Sequence, residues 1–193
     1  MKTIVWDVDD VLNGLMQGWF EQACLSEHSS CSLRYETIAE NPPHRLLGIS
    51  LEDYLNSLDA FRLSAVGQHL SPVPEVREWF CQHGYKFRHI ALTATPMQSA
   101  ALSAAWVIHH FGEWIRSFNF VPSYRKEQAP FMYDHSKLDY LRWWGRADIL
   151  IDDSPIHIES VQQMGIQTFL MPRPWNQSQQ TISEMLNSLT SLA

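Results

Sequence analysis

Short apolar runs that break off at a polar residue recur along this chain: TIVWD at 3–7, FRHIALT at 87–93 and ADILIDD at 147–153. Runs of this length, apolar without strict alternation, are the pattern of parallel strands buried on both faces. QTFLM at 167–171, after a helix-stopping Gly165, predicts a fourth strand, and FNFVP at 118–122 a fifth. Between them the apolar spacing turns helical. PEVREWFCQH at 74–83 has proline at a first helical position and stops at Gly84, and MQSAALSAAWVIHHFG at 97–112 also ends on glycine. Residues 136–144 and 155–164 supply two more helices, and 181–189 an amphipathic one in the polar tail. Strand and helix in this rhythm predict an α/β fold around a parallel sheet. Ligands of such sheets bind outside the carboxyl ends of the strands, which places Asp7, Thr93 and the Asp152-Asp153 pair on one edge of the molecule.

Residues 14–70 do not keep this rhythm. A helix over 15–26 is followed by the loop-like HSSCS and ENPPHRLLG, then by the helical SLEDYLNSLDAFRLS with Ser50 as its N-cap. No strand pattern interrupts them. The reading is a core of residues 1–13 and 71–193 with a small helical insertion, 14–70, folded over the carboxyl end of the sheet.

Composition narrows the classes. With 45 % hydrophobic and 18 % charged residues among 193, the chain has the material for a sizeable core. No apolar run approaches the roughly 18 residues of a membrane span. Charge at Asp7 leaves no room for a signal-peptide core of about 7–15 apolar residues. The expected location is the cytoplasm, with no membrane partner. A net charge of −7 argues against a nucleic-acid polymer as partner. Cys24, Cys31 and Cys81 form no CxxC pair and read as reduced thiols, and the nine histidines show no ligand spacing. Oligomeric state is not readable.

The stretch WDVDDVLNG at 6–14 places Asp7, Asp9 and Asp10 directly behind an apolar run, although aspartate is a poor strand residue and like charges repel. A lone DxD reads as a solvated turn. Here it is accompanied by a strand ending in hydroxyls, a lysine opening a helix, and a strand ending in two more carboxylates. Together IVWDVDDVL, IALTATP, HSKLDYL and ILIDDSP resemble, in order, the four motifs of the haloacid dehalogenase (HAD) superfamily. The resemblance covers most of the chain. It implies a Rossmann-like, doubly wound parallel sheet, with 14–70 as a C1 cap that closes over the site.

By that resemblance Asp7 would be the nucleophile of an aspartyl-phosphate mechanism, and Asp9 the acid and base that protonates the leaving oxygen and then activates water. Several carboxylates at one strand edge call for a divalent cation, and all-oxygen ligation favours Mg²⁺. Asp7, the Asp9 carbonyl and Asp153 would hold it, with Asp152 as the supporting acid. Thr93 and Thr95 would bind the phosphoryl oxygens and Lys137 would neutralise them, with Lys126 as a rival for the lysine role. Asp10 reads as an exposed turn acid and His157 as a helix-surface residue. Arg125 is a candidate for a second anionic group, Arg45 and Arg62 for phosphate or base. Trp19, Phe20, Tyr54 and Phe61 are candidates for base stacking, with helical core packing as the alternative. The cap resembles those of the 5′(3′)-deoxyribonucleotidases, which implies a nucleoside monophosphate or similar small phosphorylated metabolite as substrate. Three other readings stand beside it: a phosphotransferase or mutase, which would keep every motif; a dehalogenase, which Asp9 argues against; and a non-catalytic protein, which should have lost site residues.

Overall fold

Alternation along the shortest strands sets the layers of the molecule. In the computed structural model, which describes residues 1–27, 33–123, 125 and 132–193, Ile4 and Trp6 of β1 (Thr3–Trp6) join one apolar cluster and Val5 joins another on the opposite face. The chain then runs through the insertion. There, α1 (Leu15–Trp19), a π-helical stretch (Phe20–Cys24) and α2 (Leu25–Glu27) precede a short 3₁₀ turn, Tyr35–Thr37. α3 (Leu51–Leu63) and α4 (Ala65–Gln68) follow. The core resumes with α5 (Pro74–His83), β2 (Arg88–Thr95), α6 (Met97–Phe111), β3 (Ile115–Pro122), α7 (Lys137–Trp144), β4 (Ile149–Asp152), α8 (Pro155–Gln162), β5 (Gln167–Leu170) and α9 (Ile182–Thr190).

The five strands are all parallel, in the order β3-β2-β1-β4-β5. Starting in the middle and growing outward on both sides makes the sheet doubly wound, with a topological switch point beside β1. Helices α5, α6 and α9 cover the face of Ile4, Trp6, Ala91, Ile149 and Ile151. Helices α7 and α8 cover the face of Val5, Leu92 and Leu150. Ser136 caps α7, accepting from the Asp139 amide at 3.1 Å, and Gly145, left-handed at φ +66°, ends it and turns the chain into β4.

The buried imidazole of His89 has both ring nitrogens satisfied. His89 lies between the indole N–H of Trp6, which donates to its Nδ1 at 3.0 Å, and the Gly84 carbonyl at 2.7 Å from its Nε2. The first bond makes Nδ1 the acceptor, so Nε2 carries the proton and donates to Gly84. Burial depresses its pKa to about 4 and keeps the ring neutral.

Three expectations shift. The strand expected at 118–122 starts three residues earlier, at Ile115. The single helix expected over 15–26 is interrupted by a π-helical turn, closed by the Leu25 amide donating to the Phe20 carbonyl. Trp19, Phe20, Tyr54 and Phe61, weighed for base stacking, are buried with Leu15, Met16, Ile38 and Leu58 as the apolar core of the insertion. The indole N–H of Trp19 is spent on Ser57 Oγ at 3.0 Å. Gly18 gives these side chains room: a Cβ would stand 2.7 Å from Leu70 Cδ2 and 3.2 Å from the Phe61 ring, so both would have to shift to admit one.

Neither Cys24 nor Cys81 is part of a disulfide, and Cys31 lies outside the described residues. Among the described residues no helix is long and apolar enough to cross a membrane.

Phe80 is fully buried, with ring centroids 4.8 Å from Trp6 and 5.0 Å from Phe111. Phe80→Ala is expected to destabilise the core by about 3–5 kcal/mol, measured by equilibrium urea unfolding.

Candidate active site

Where β1 ends, the backbone stays in register for one more residue: the Asp7 amide donates to the Ile151 carbonyl of β4 at 3.0 Å. The chain then turns sharply, with the Val8 carbonyl accepting from the amides of Leu12 at 2.9 Å and Asn13 at 3.2 Å. Asp10 sits in the turn with φ +60°, a conformation that aspartate tolerates better than most residues. It is buried, contrary to the exposed acid expected. Its Oδ1 accepts from the Met16 amide at 2.9 Å, at the N-terminus of α1, where Gly14 offers no side-chain cap. Burial raises its pKa to about 7 against the opposing pull of Arg173. Arg173 in turn donates from Nε to the Asp10 carbonyl at 2.7 Å.

Lys137, the first residue of α7, is almost wholly buried and reaches two carboxylates. Its Nζ lies 2.8 Å from Asp7 Oδ1 and 2.6 Å from Asp152 Oδ2. Asp152 closes β4, and its Oδ1 also accepts from the Ser154 amide at 2.9 Å. His157, expected on the helix surface, instead turns its Nδ1 to Asp152 Oδ1 at 3.1 Å and lines the cavity described below. Asp153 receives the indole N–H of Trp175 at 2.9 Å on Oδ2. Asp7, Asp152 and Asp153 each present an oxygen within 4.8 Å of the others.

The electrostatics follow from this crowding. Burial pushes Asp7 up to about 6, with Lys137 pulling the other way and Asp152 adding to the rise. Asp153 is raised well above its ordinary value by burial and by Asp152, Asp10 and Asp7. Asp152 is the exception: burial would raise it, but Lys137 and the His157 hydrogen bond outweigh burial and hold it down near 2. The set is an all-oxygen donor cluster with more negative charge than its one buried ammonium matches, which fits a hard divalent cation.

Asp9 points elsewhere in the same site. Its Oδ1 accepts from Asn13 Nδ2 at 3.3 Å and its Oδ2 from Arg62 Nη2 at 3.0 Å. Arg62 belongs to α3 of the insertion and also donates to Asp59 at 2.9 Å. Asp59 accepts two bonds from Arg125, at 2.7 and 2.8 Å. The result is an alternating chain, Asp9-Arg62-Asp59-Arg125, that ties the insertion to the core. Arg62 and Arg125, read as ligand-binding candidates, are both engaged in it, and Arg45 is exposed. Lys126 lies outside the described residues.

A cavity of about 210 Å³ opens between insertion and sheet, lined by Asp7, Asp9, Thr93, Asp153, Arg62 and Tyr54 among others. Thr93, buried near the end of β2, faces it. Thr95 does not. Its hydroxyl pairs with Ser99 Oγ at 2.9 Å in the first turn of α6, so the phosphoryl contact expected of it is replaced by a helix-start bond. Sequence reasoning missed Asn13 and the inward turn of His157, and the second carries a recoverable signal. His157 is the third residue of α8, and helical side chains tilt back toward the N-terminus, here toward Asp152.

No protein-family model matches the chain, and no curated protein matches it in sequence. Solved structures do match in fold. A haloacid dehalogenase-like family hydrolase from Streptococcus pneumoniae superposes with TM-score 0.64 at 12 % identity, over 100 % of this chain and 99 % of that one. A predicted phosphatase from Clostridium acetobutylicum gives TM-score 0.60 at 10 % identity, over 99 % and 97 %. A HAD-superfamily hydrolase of subfamily IA from Geobacter sulfurreducens gives 0.53 at 12 %, over 98 % and 96 %. The fold is therefore that of the HAD-like proteins: a doubly wound parallel sheet with a helical cap after the first strand.

The raised carboxylates make metal-free stability depend on pH. Asp7 and Asp10 ionise near 6 and 7 in the folded chain and near 3.8 when unfolded, so the folded state holds protons that the unfolded state releases. Their contribution is full below about pH 4 and is lost as pH rises through 6 to 7. The Tm in a metal chelator is expected to fall between pH 5 and about 7.5, and saturating Mg²⁺ to flatten that slope, as read by differential scanning fluorimetry.

Proposed function

We propose that this chain is a Mg²⁺-dependent phosphomonoester hydrolase that works through an aspartyl-phosphate on Asp7. The observation that carries the reading is the Asp7-Lys137-Asp152 bridge beside Asp153, at the sheet edge where Asp9 enters the same cavity. The HAD-like neighbours named as hydrolases and a phosphatase support it. Asp7, Asp153 and the Asp9 carbonyl would hold Mg²⁺, which when bound supplies charge neutralisation for the phosphoryl oxygens and the crowded carboxylates. Asp152 has its oxygens committed to Lys137, Ser154 and His157, and serves to hold Lys137 in place.

Each step then falls to a residue of the chain. An Asp7 carboxylate oxygen attacks phosphorus while the bond to the leaving oxygen breaks, and Asp9 gives that oxygen its proton. Asp9 next takes a proton from a water that attacks the same phosphorus, releasing phosphate and restoring the Asp7 carboxylate. Thr93 donates to a phosphoryl oxygen, and Lys137 offsets charge on the nucleophile and the phosphoryl group.

Charge also speaks to the substrate. Asp7, Asp9, Asp10 and Asp153 line the cavity, and Arg62, the one lysine or arginine that lines it among the described residues, is already paired with Asp9 and Asp59. No surplus cation among these residues remains for a second anion, which favours a neutral leaving group. A nucleoside monophosphate or a small sugar phosphate fits that requirement, and the protein is proposed to work on it in the cytoplasm. Tyr54 is the one stacking candidate that lines the cavity.

Purified protein with Mg²⁺ should release phosphate from nucleoside monophosphates or sugar phosphates faster than from phosphoserine. Asp7→Asn should abolish turnover, and Asp9→Asn should slow poor leaving groups more than p-nitrophenyl phosphate. Turnover surviving Asp7→Asn would sink the nucleophile assignment, and activity confined to non-nucleotides would remove the nucleotide reading.

A further inference from the structure

The turn after β5 places one side chain in two environments at once. Trp175 lies in a 3₁₀ turn, Pro174–Asn176, of the core. Its ring is buried in the apolar cluster of the cap, where Tyr35 meets it edge-on with centroids 6.2 Å apart. Its indole N–H donates to Asp153 Oδ2 at 2.9 Å. Among the described residues no donor meets Oδ1 of that carboxylate. Asn176 Nδ2 donates to the Asp153 carbonyl at 2.8 Å and to the Met171 carbonyl at 2.7 Å, which fixes the backbone of the turn beside Asp153 and leaves the Trp175 ring to be located by its packing in the cap cluster.

We propose that Trp175 couples docking of the cap to the orientation of Asp153 as a metal ligand. The inference rests on the metal reading above. A partner that hydrogen-bonds a metal ligand fixes which oxygen faces the ion, and loss of such a partner weakens metal affinity by about 10–100-fold. Tryptophan is suited to this double task because indole is a donor only, carried on a large apolar body. Phenylalanine would fill the cap cluster but leave Asp153 without its donor. If the cap swings away, the apolar contacts that locate the indole go with it, and Asp153 loses its fixed orientation. Linkage makes the effect reciprocal: whatever cap docking does for the metal, the metal does for cap docking by the same factor.

Trp175 is thus a positioning residue, and its test is metal binding without turnover. The probe is Mn²⁺, which shares the preference of Mg²⁺ for oxygen ligands and whose free concentration is read by electron paramagnetic resonance. Trp175→Phe is expected to weaken Mn²⁺ binding about 10–100-fold. Tyr35→Ala removes the edge contact without removing any donor to Asp153, and is expected to weaken binding by a smaller factor. In the wild type, Mn²⁺ should slow amide exchange of residues 33–38 of the cap, and in Trp175→Phe it should not. Equal Mn²⁺ affinity in wild type and Trp175→Phe, or cap exchange indifferent to Mn²⁺ in the wild type, would overturn the coupling and leave the metal reading standing. Failure of the wild type to bind Mn²⁺ at all would overturn both.

Discussion

Buried like charge at the carboxyl edge of the sheet is the constraint around which this molecule is arranged. Asp7, Asp10, Asp152 and Asp153 are all buried there, and ionised carboxylates in low dielectric are strongly destabilising unless paired. One ammonium, Lys137, is inserted between two of them. That insertion sets the topology. β1 and β4 must be neighbours for Asp7 and Asp152 to share a lysine, and α7 must begin at the same edge with Lys137 as its first residue. Even so, the pairing neutralises only part of the cluster, and burial, with the neighbouring carboxylates adding to it, raises Asp153 and Asp7 above their ordinary pKa.

The cap answers a different need. Its interior is apolar and aromatic, but its contact with the core is made by charge on one side and by Trp175 on the other. The chain Asp9-Arg62-Asp59-Arg125 alternates in sign from core to cap and back to core, so within it each body contributes one charge of each sign. Among these four, Asp9 alone lines the cavity together with Arg62, which brings the cap within hydrogen-bonding reach of the residue assigned to proton transfer. The contact leaves the Arg62 and Asp9 side chains only 12 % and 17 % exposed, and burial of that degree strengthens the electrostatics between them.

How much of this the sequence reveals depends on the range of the interaction. The strands are visible because a parallel sheet covered on both faces demands continuous apolar runs, and the site aspartates are visible because they interrupt those runs at the strand ends. The cap is visible by the loss of that rhythm. What escapes are the partners: Trp175 for Asp153, Arg62 for Asp9, and Asp10 for the Met16 amide. The first two lie 22 and 53 residues apart in sequence and leave no local pattern. Asp10 escapes for another reason. An acid behind a strand has the composition of a solvated turn, and only the fold shows that a helix start lies over it. Thr95 misleads in the opposite way, since a threonine two residues after Thr93 shares its strand parity, but Ser99 claims its hydroxyl.

Strand parity also accounts for the division of labour between Asp152 and its neighbour. Successive side chains of a strand point to opposite faces. Leu150 faces the α7 and α8 layer, so Asp152 does too, and its side-chain partners are Lys137 of α7 and His157 of α8. Val5 faces the same layer, which carries Asp7 to the same lysine. Asp153 has the parity of Ile151, on the other face, and lies just beyond the strand, where it turns to Trp175 under the cap. Two adjacent aspartates of identical chemistry thus acquire opposite electrostatics. The one inside the strand is held ionised by a lysine and a histidine, and the one past it is pushed toward its protonated form by burial and by its acidic neighbours, a pressure that a bound cation would relieve.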